Sequence, residues 1–319
     1  MQNKIEISLV IPLFNEAESI PELHEWIKEV MFKEGYSYEI IFIDDGSKDN
    51  SWEVIESLQA KDQQVRGIKF QRNYGKSAAL QKGFEASRGV YVATLDADLQ
   101  DSPEEVPEMI RMIKEQDLDL VSGWKKKRFD PLSKTIPTKL YNWTARKLTG
   151  IYLHDFNCGL KTYKSSVVKS IELYGDMHRY IPALAKYAGF NKIGEKVVQH
   201  QARKYGTTKF GLNRFVNGPL DLLSVVFMGR FGKKPMHFFG LLGTLMFILG
   251  FGLALFLGVD KMINMINDEP AKLIASRTEF YVALTAMILG CQFFLAGFIA
   301  ELIGRNSTSR NNYLIEKEI

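Results

Sequence analysis

Two stretches of the sequence carry no fixed charge over the length of a bilayer-crossing helix, and they constrain the fold before any motif does. From Met236 to Val259 the only titratable side chain is His237, and from Phe280 to Ala300 no side chain is charged at neutral pH. About 20 residues at 1.5 Å rise span roughly 30 Å, the hydrocarbon thickness of a membrane. Two buried core helices of a soluble protein are the competing reading, and the match of length to a bilayer argues against it. The remainder looks soluble: 46% apolar and 24% charged residues overall, with a mean hydropathy of −0.12, average a polar head with an apolar tail. In a chain of 319 residues this predicts one large domain plus an addition.

Basic residues set the expected orientation. Arg230, Lys233, Lys234, Arg305 and Arg310 lie outside the hairpin, against Lys261, Lys272 and Arg277 in the connector, a positive-inside bias. Both termini and the head are therefore expected in the cytoplasm of a multi-pass inner-membrane protein. The run Ile7 to Phe14 is short, is broken by Pro12 and lacks a cleavage site, so no signal peptide is read. Gly243, Gly250, Ala254 and Gly258 fall near one helical face, which predicts close helix packing within the chain or in a homo-oligomer. The expected organisation is a head domain over 1–210, juxtamembrane amphipathic helices over 211–235, two spans over 236–304 with a connector at 260–279, and a tail from 305 to 319. Neither apolar run, 236–259 or 280–300, has an acid or base in its membrane-embedded interior, which argues against a transporter or proton pump. A net charge of +4 is too small to imply nucleic-acid binding, and Cys158 and Cys291 form no CxxC pair, so no zinc site follows.

The head alternates strand and helix. Apolar strands are expected over 5–13, 39–43, 67–70, 90–95 and 118–122. Helices are expected near 19–31, 51–60, 76–86 and 103–115, the first opened by a capping box of Ser19 and Glu22. This pattern predicts an α/β fold with a mostly parallel central sheet. Ligands bind such sheets beyond the carboxyl ends of the strands. Asp44-Asp45 ends one strand and Asp96-Ala97-Asp98 another, so their carboxylates should meet along one edge. Asp117-Leu118-Asp119 repeats the D-x-D pattern but precedes its strand, which predicts a solvated turn at the opposite edge. Asp96 and Asp98 can hold a hard divalent cation that bridges a nucleotide's phosphates, or they can simply cap the next helix. No GxGxxG or GxxxxGK[ST] occurs, so dinucleotide and P-loop chemistry are not supported.

Four motifs in order carry a resemblance: Val10-Ile11-Pro12-Leu13-Phe14-Asn15-Glu16, Ile43-Asp44-Asp45-Gly46-Ser47, Arg72-Asn73-Tyr74-Gly75-Lys76 and Asp96-Ala97-Asp98-Leu99-Gln100-Asp101. Together they resemble the family 2 glycosyltransferases. Within these they resemble the polyprenyl-phosphate branch of dolichol-phosphate mannosyltransferases and undecaprenyl-phosphate glucosyltransferases. The resemblance covers nearly the whole chain and implies a GT-A fold and inverting transfer. It implies nucleotide-sugar contacts at Pro12, Phe14, Glu16, Asp44 and Asp96, with Asp45 beside them. It also implies Mg2+ or Mn2+ on Asp96, Asp98 and Gln100, and a donor-side contact at Lys76, which could otherwise be a solvated residue opening a helix. Asp155-Phe156-Asn157-Cys158-Gly159-Leu160-Lys161 is similar to a family segment with an acidic residue near the reacting centre, so Asp155 joins Asp98 as a catalytic candidate. His154 reads as a neighbour.

Arg203-Lys204-Tyr205-Gly206-Thr207-Thr208-Lys209 resembles the family segment that meets the acceptor phosphate, which implies that role for Arg203 and Lys209, with Thr208 in place of serine. Lys125 to Arg128 read equally as a solvated loop or as a contact to pyrophosphate or anionic lipid. Between Gly211 and Arg230 apolar residues recur at helical spacing, which predicts an interfacial helix or a core helix. The implied reaction moves a hexose from a nucleotide-diphosphate sugar, UDP-glucose or a related UDP-sugar, to polyprenyl phosphate. A GDP-mannose-dependent mannosyltransferase, a polysaccharide synthase and a non-catalytic scaffold are the alternatives. A synthase usually carries Q-x-x-R-W, and no tryptophan here follows an arginine.

Overall fold

The computed structural model describes residues 5–126, 142–173, 175–201, 204–205, 222, 224–227, 229, 231, 234–267, 270 and 273–305. The chain divides into two bodies, Met1–Val226 and Phe227–Ile319.

Among the described residues the first body is built on seven strands: β1 (Ile7–Leu13), β2 (Tyr38–Asp44), β3 (Val65–Lys69), β4 (Tyr91–Thr94), β5 (Leu120–Trp124), β6 (Lys161–Lys164) and β7 (Ile193–Val197). They lie in the order β3-β2-β1-β4-β6-β5-β7. Only β6 runs against its neighbours β4 and β5, while the other pairings are parallel. Every residue of β1 and β2 is buried, as a strand covered on both faces requires. Helices α1 (Ile20–Glu34), α2 (Ser51–Gln59), α3 (Lys76–Ala86) and α4 (Glu105–Glu115) make the crossovers, and the shorter α5 (Ser165–Lys169) and α6 (Ile181–Tyr187) follow β6. One apolar core packs Ile20, Leu23, Ile27, Met109 and Ile110 against Leu9, Ile11 and Phe42. A second packs Leu80 and Phe84 with Val10, Ile41, Tyr163 and Tyr180.

Because six strands share one direction, the loops after β1, β2, β4, β5 and β7 and the entry to β6 gather at one rim. The D-x-D control behaves differently from Asp96-Ala97-Asp98. Asp117, 69% exposed, sits at the opposite rim between Lys164 and Lys192, which hold its carboxyl down at about 2. The expected capping box does not form. Ser19 makes no cap bond, and its hydroxyl instead donates to the Glu16 carbonyl at 3.0 Å, so the preceding turn claims it.

In the second body, α7 (Pro235–Ile266) and α8 (Thr278–Arg305) are two helices long and apolar enough to cross a membrane. Only 17% of each apolar window is buried, which opposes the core-helix reading. Gly243 and Gly290 meet backbone to backbone: a Cβ on Gly243 would stand 2.5 Å from the Gly290 carbonyl, and one on Gly290 2.6 Å from the Gly243 carbonyl. Gly250 meets Ala283 in the same way, so these glycines serve packing within the chain. A Cβ on Gly258 would meet no atom of the described residues within 4 Å. Eight residues beyond Gly250, it lies about 80° further round the helix. Phe227, Phe231, Phe238 and Phe239 cluster at one end of the hairpin, and Arg277 pairs with Asp260 at 2.6 Å at the other. Of the amphipathic stretch expected between Gly211 and Arg230, most lies outside the described residues.

Candidate active site

The rim is assembled by loops that satisfy one another's backbone. After β1, the Asn15 N–H donates to Ser47 Oγ at 2.8 Å, the Glu16 N–H to Ser51 Oγ at 3.0 Å and the Ala17 N–H to Asp49 Oδ2 at 3.2 Å. Asn15 Oδ1 in turn accepts the Lys48 N–H at 2.8 Å. A cavity of about 310 Å3 opens between these two loops, lined by Asn15, Glu16, Ala17, Glu18, Asp49, Asn50 and Tyr205. Pro12 is buried as the penultimate residue of β1, in register with Ile43, and Phe14 and Glu16 are half-buried just beyond it.

Asp44, the last residue of β2, is fully buried. Its Oδ1 accepts the Ser47 N–H at 2.8 Å, and its Oδ2 has no partner among the described residues. Leaving such an oxygen unmatched costs about 1–3 kcal/mol, a cost that a ligand N–H would remove. Asp45 is committed within the protein: its two oxygens accept the N–H groups of Tyr74 and Gly75 at 2.7 and 2.9 Å. Burial pushes its carboxyl up despite those bonds, and neighbouring Asp44 adds to the shift. The loop it holds passes so close to Gly46 that a Cβ there would stand 2.5 Å from the Arg72 backbone, and Gly46 has φ +73°, so glycine is required. That loop delivers Lys76 to the start of α3, where its ammonium pairs with Asp96 Oδ1 rather than standing in solvent.

Past β4, Asp98 Oδ1 accepts the Gln100 N–H at 3.3 Å, and Gln100 Nε2 donates to the Gln201 carbonyl at 3.3 Å. Among the described residues no three His, Cys, Asp or Glu side chains converge as a closed metal cage. Asp96, Asp98 and Gln100 would nevertheless offer two carboxylates and an amide oxygen, a donor chemistry that fits a hard divalent cation taking its other ligands from water and substrate phosphates. Gly159 makes room for this arrangement, since a Cβ there would stand 2.5 Å from the Asp96 carboxylate. Thr94 Oγ1 donates to the Gly159 carbonyl at 2.8 Å and ties the two loops together.

On the far side of the same rim, Asp155 is 1% exposed, and its Oδ1 accepts the Asn157 N–H at 3.0 Å. Lys161 is buried and donates to the Cys158 carbonyl; burial holds its ammonium below the ordinary lysine range. Burial pushes the Cys158 thiol up to about 12, so it is no nucleophile at neutral pH. Lys125 is not the solvated residue that a charge run predicts. It is 13% exposed, with Nζ 2.6 Å from Asp101 Oδ1 and His200 Nδ1 a further neighbour at 3.9 Å. Burial opposes ionisation of Asp101, but Lys125 outweighs it and holds the carboxyl at about 2. Lys126 lies over the Trp124 ring at 5.8 Å, whereas Lys127 and Arg128 fall outside the described residues. So do Arg203, Thr208 and Lys209. Between them, Lys204 pairs with Glu22 at 2.7 Å, and the Tyr205 hydroxyl donates to the same carboxylate at 3.1 Å.

Sequence reasoning did not find Lys125 and Asp101 as a buried pair, nor Trp124, Glu195 and His200 as rim residues. Their partners lie 24 to more than 90 residues away, and only strand register brings them together.

The family described as Glycosyl transferase family 2 matches residues 8–171. The dodecaprenyl-phosphate galacturonate synthase of Rhizobium johnstonii is 37% identical, over 98% of this chain and 93% of its own length. The undecaprenyl-phosphate 4-deoxy-4-formamido-L-arabinose transferase of Pseudomonas aeruginosa is 32% identical, over 98% and 90%. Among solved structures, mannosyl-3-phosphoglycerate synthase from Rubrobacter xylanophilus superposes with a TM-score of 0.56 at 17% identity, covering 70% of this chain and 74% of that one. Glucosyl-3-phosphoglycerate synthase from Mycobacterium tuberculosis, in complex with Mg2+ and uridine-diphosphate, gives 0.55 at 16% identity, covering 70% and 79%. These two share the GT-A-like fold of the first body. With a family match over half its length and relatives aligned across nearly all of it, the chain belongs to glycosyl transferase family 2, in the branch of the polyprenyl-phosphate sugar transferases.

Proposed function

We propose that this enzyme transfers a sugar from a UDP-sugar to polyprenyl phosphate with inversion at the anomeric carbon, yielding a polyprenyl monophosphate sugar. The observation that carries the reading is the contact between Gly159 and Asp96, which sets the loop of Asp155 against the D-x-D carboxylate. One rim thus offers both a donor side and an acceptor side. The acceptor's phosphate oxygen attacks the anomeric carbon while the bond to the nucleotide breaks and its electron pair leaves on the diphosphate. A phosphate monoester is largely dianionic at neutral pH, so the step needs positioning more than a base. Asp155 orients the acceptor, Arg203 and Lys209 hold its phosphate, and Lys76 moves from Asp96 toward donor phosphate charge. Asp96, Asp98 and Gln100 would hold Mg2+ or Mn2+, which supplies Lewis-acid neutralisation of the departing diphosphate.

Pro12, Phe14, Glu16 and Asp44 take the nucleoside. Asp44 supports uracil over guanine, because one unmatched oxygen suits the single N3–H of uracil better than guanine's adjacent pair of donors. The sugar is a hexose such as glucose or a related sugar. The organisation proposed is a cytoplasmic head over 1–210, juxtamembrane helices over 211–235 and an inner-membrane hairpin over 236–304, with both termini cytoplasmic. The test incubates the full-length protein with undecaprenyl phosphate and labelled UDP-glucose, UDP-galacturonate, UDP-4-deoxy-4-formamido-L-arabinose or GDP-mannose, then counts the organic phase. A single-sugar lipid made from a UDP-sugar is expected, and Asp98→Asn should lower its formation at least about a hundredfold while nucleotide binding is only weakened. A polymer, product from GDP-mannose alone, or full activity of Asp98→Asn would overturn the reading or its metal assignment.

A further inference from the structure

We propose that Glu195 is a positioning residue for glycosyl transfer, holding Asp155 in place from a neighbouring strand; this rests on the reading of Asp155 as the acceptor-side carboxylate. Between Gly150 and Lys161 the chain forms no strand or helix, so its buried backbone N–H groups need partners outside any helix or strand ladder. Glu195 supplies them at the position that matters. Its Oε1 accepts the N–H of His154 at 2.7 Å and that of Asp155 at 3.1 Å, and its Oε2 lies 2.6 Å from His154 Nδ1. A carboxylate can only accept, so His154 carries its proton on Nδ1.

The same two residues are fixed from other directions. Asn142 Nδ2 donates to the His154 carbonyl at 2.8 Å. The imidazole lies flat on Trp124, with ring centroids 4.0 Å apart and planes 12° from parallel. Trp124 ends β5 and Glu195 sits within β7, in register with Ser122, so the β5–β7 pair supplies both the stacking surface and the carboxylate. Among the described residues no lysine or arginine pairs with Glu195, although its side chain is only 12% exposed. Its hydrogen bonds go to His154 and Asp155. The arrangement fixes the N–H of Asp155, and with it the direction in which the buried carboxylate leaves the backbone.

The experiment uses the full-length enzyme with undecaprenyl phosphate and the UDP-sugar it accepts. Glu195→Ala should lower kcat about tenfold or more, because a displacement on the order of 1 Å at a reacting group is that damaging. The KM for the nucleotide sugar should stay within about twofold, since the donor side is untouched. Glu195→Gln, whose Oε1 still accepts both backbone N–H groups, should recover most of the rate, a rescue that general loosening of the fold would not give. If Glu195→Ala does not fold, Glu195→Asp draws the carboxylate back by about 1.5 Å and should lower kcat in the same sense. Wild-type kcat in the Ala or Asp variant, beside an inactive Asp155→Asn, overturns the clamp alone. Wild-type turnover by Asp155→Asn overturns the role given to Asp155 and the clamp with it.

Discussion

At the scale of single residues, the rim is governed by how carboxylates are matched. Asp45, Asp101 and Asp155 are all buried, yet each makes different use of its oxygens: Asp45 gives both to a loop, Asp101 pairs with Lys125, and Asp155 accepts the Asn157 N–H. Asp96 depends on the absence of a side chain at Gly159, which leads to a separation of stability from activity. In Gly159→Ala the new methyl meets the end of a side chain rather than backbone, so the melting temperature should fall by only a few degrees, equivalent to about 1 kcal/mol. Because the displaced group is Asp96, transfer to polyprenyl phosphate should drop at least about tenfold. Equal losses of stability and activity would remove the steric argument. The Lys125–Asp101 pair gives the opposite pattern. In the folded protein Lys125 holds the Asp101 carboxyl at about 2, below the ordinary aspartate value of about 3.9, so its contribution is present above that ordinary value and is lost as pH falls toward 2. Lys125→Met leaves the buried carboxylate without its cation, which should cost about 3–5 kcal/mol at neutral pH. Acid unfolding of the variant should begin at a higher pH than in the wild type, and an unchanged acid midpoint would contradict the pairing.

Among the elements, α3 was legible to the residue because Gly75 and Lys76 mark its start and a charge-free apolar strand follows. The strands were legible in kind but not in bounds: β5 lies at 120–124 rather than 118–122, since Leu118 is drawn into the turn that carries Asp117 at positive φ. Neither β6 nor β7 was foreseen. The former is four residues long with a lysine at each end, and the latter is a partly exposed edge strand, so neither shows apolar periodicity. Their invisibility explains why Glu195 escaped notice while Asp44 and Asp96, each directly after a long buried strand, did not. The hairpin helices were legible from length alone, but the contact between them was only half legible. Gly243 and Gly250 face α8, whereas Gly258 has rotated away. Gly243→Leu therefore forces the helices apart where the two backbones touch. In detergent it should destabilise the hairpin by about 2 kcal/mol or more, seen as faster amide exchange in α7 and α8. Gly258→Leu should leave exchange as it is. If both variants exchange alike, the glycine contact does not hold the pair.

For the molecule as a whole, the division after Val226 separates a body that carries every described rim residue from one that carries both apolar helices. Uncatalysed, the chemistry needs only a phosphate oxygen and an activated sugar, so nothing in the reacting groups requires a membrane. The acceptor does, because each buried methylene of a polyprenyl chain contributes about 0.8 kcal/mol toward staying in the bilayer. An enzyme anchored in the same membrane meets that acceptor at high effective concentration, whereas a free head meets it only by collision. A chain ending at Val226 should therefore bind its nucleotide sugar with the Kd of the full protein and glycosylate a water-soluble short-chain prenyl phosphate at a comparable rate. With undecaprenyl phosphate in vesicles, its rate should fall by about a hundredfold or more, the range that tethering commonly supplies. Retained activity on vesicles would mean that the head reaches the membrane by its own surface and that α7 and α8 serve another purpose. Loss of activity on both acceptors, with donor binding intact, would mean that the helices help to build the acceptor site rather than only hold the enzyme beside it.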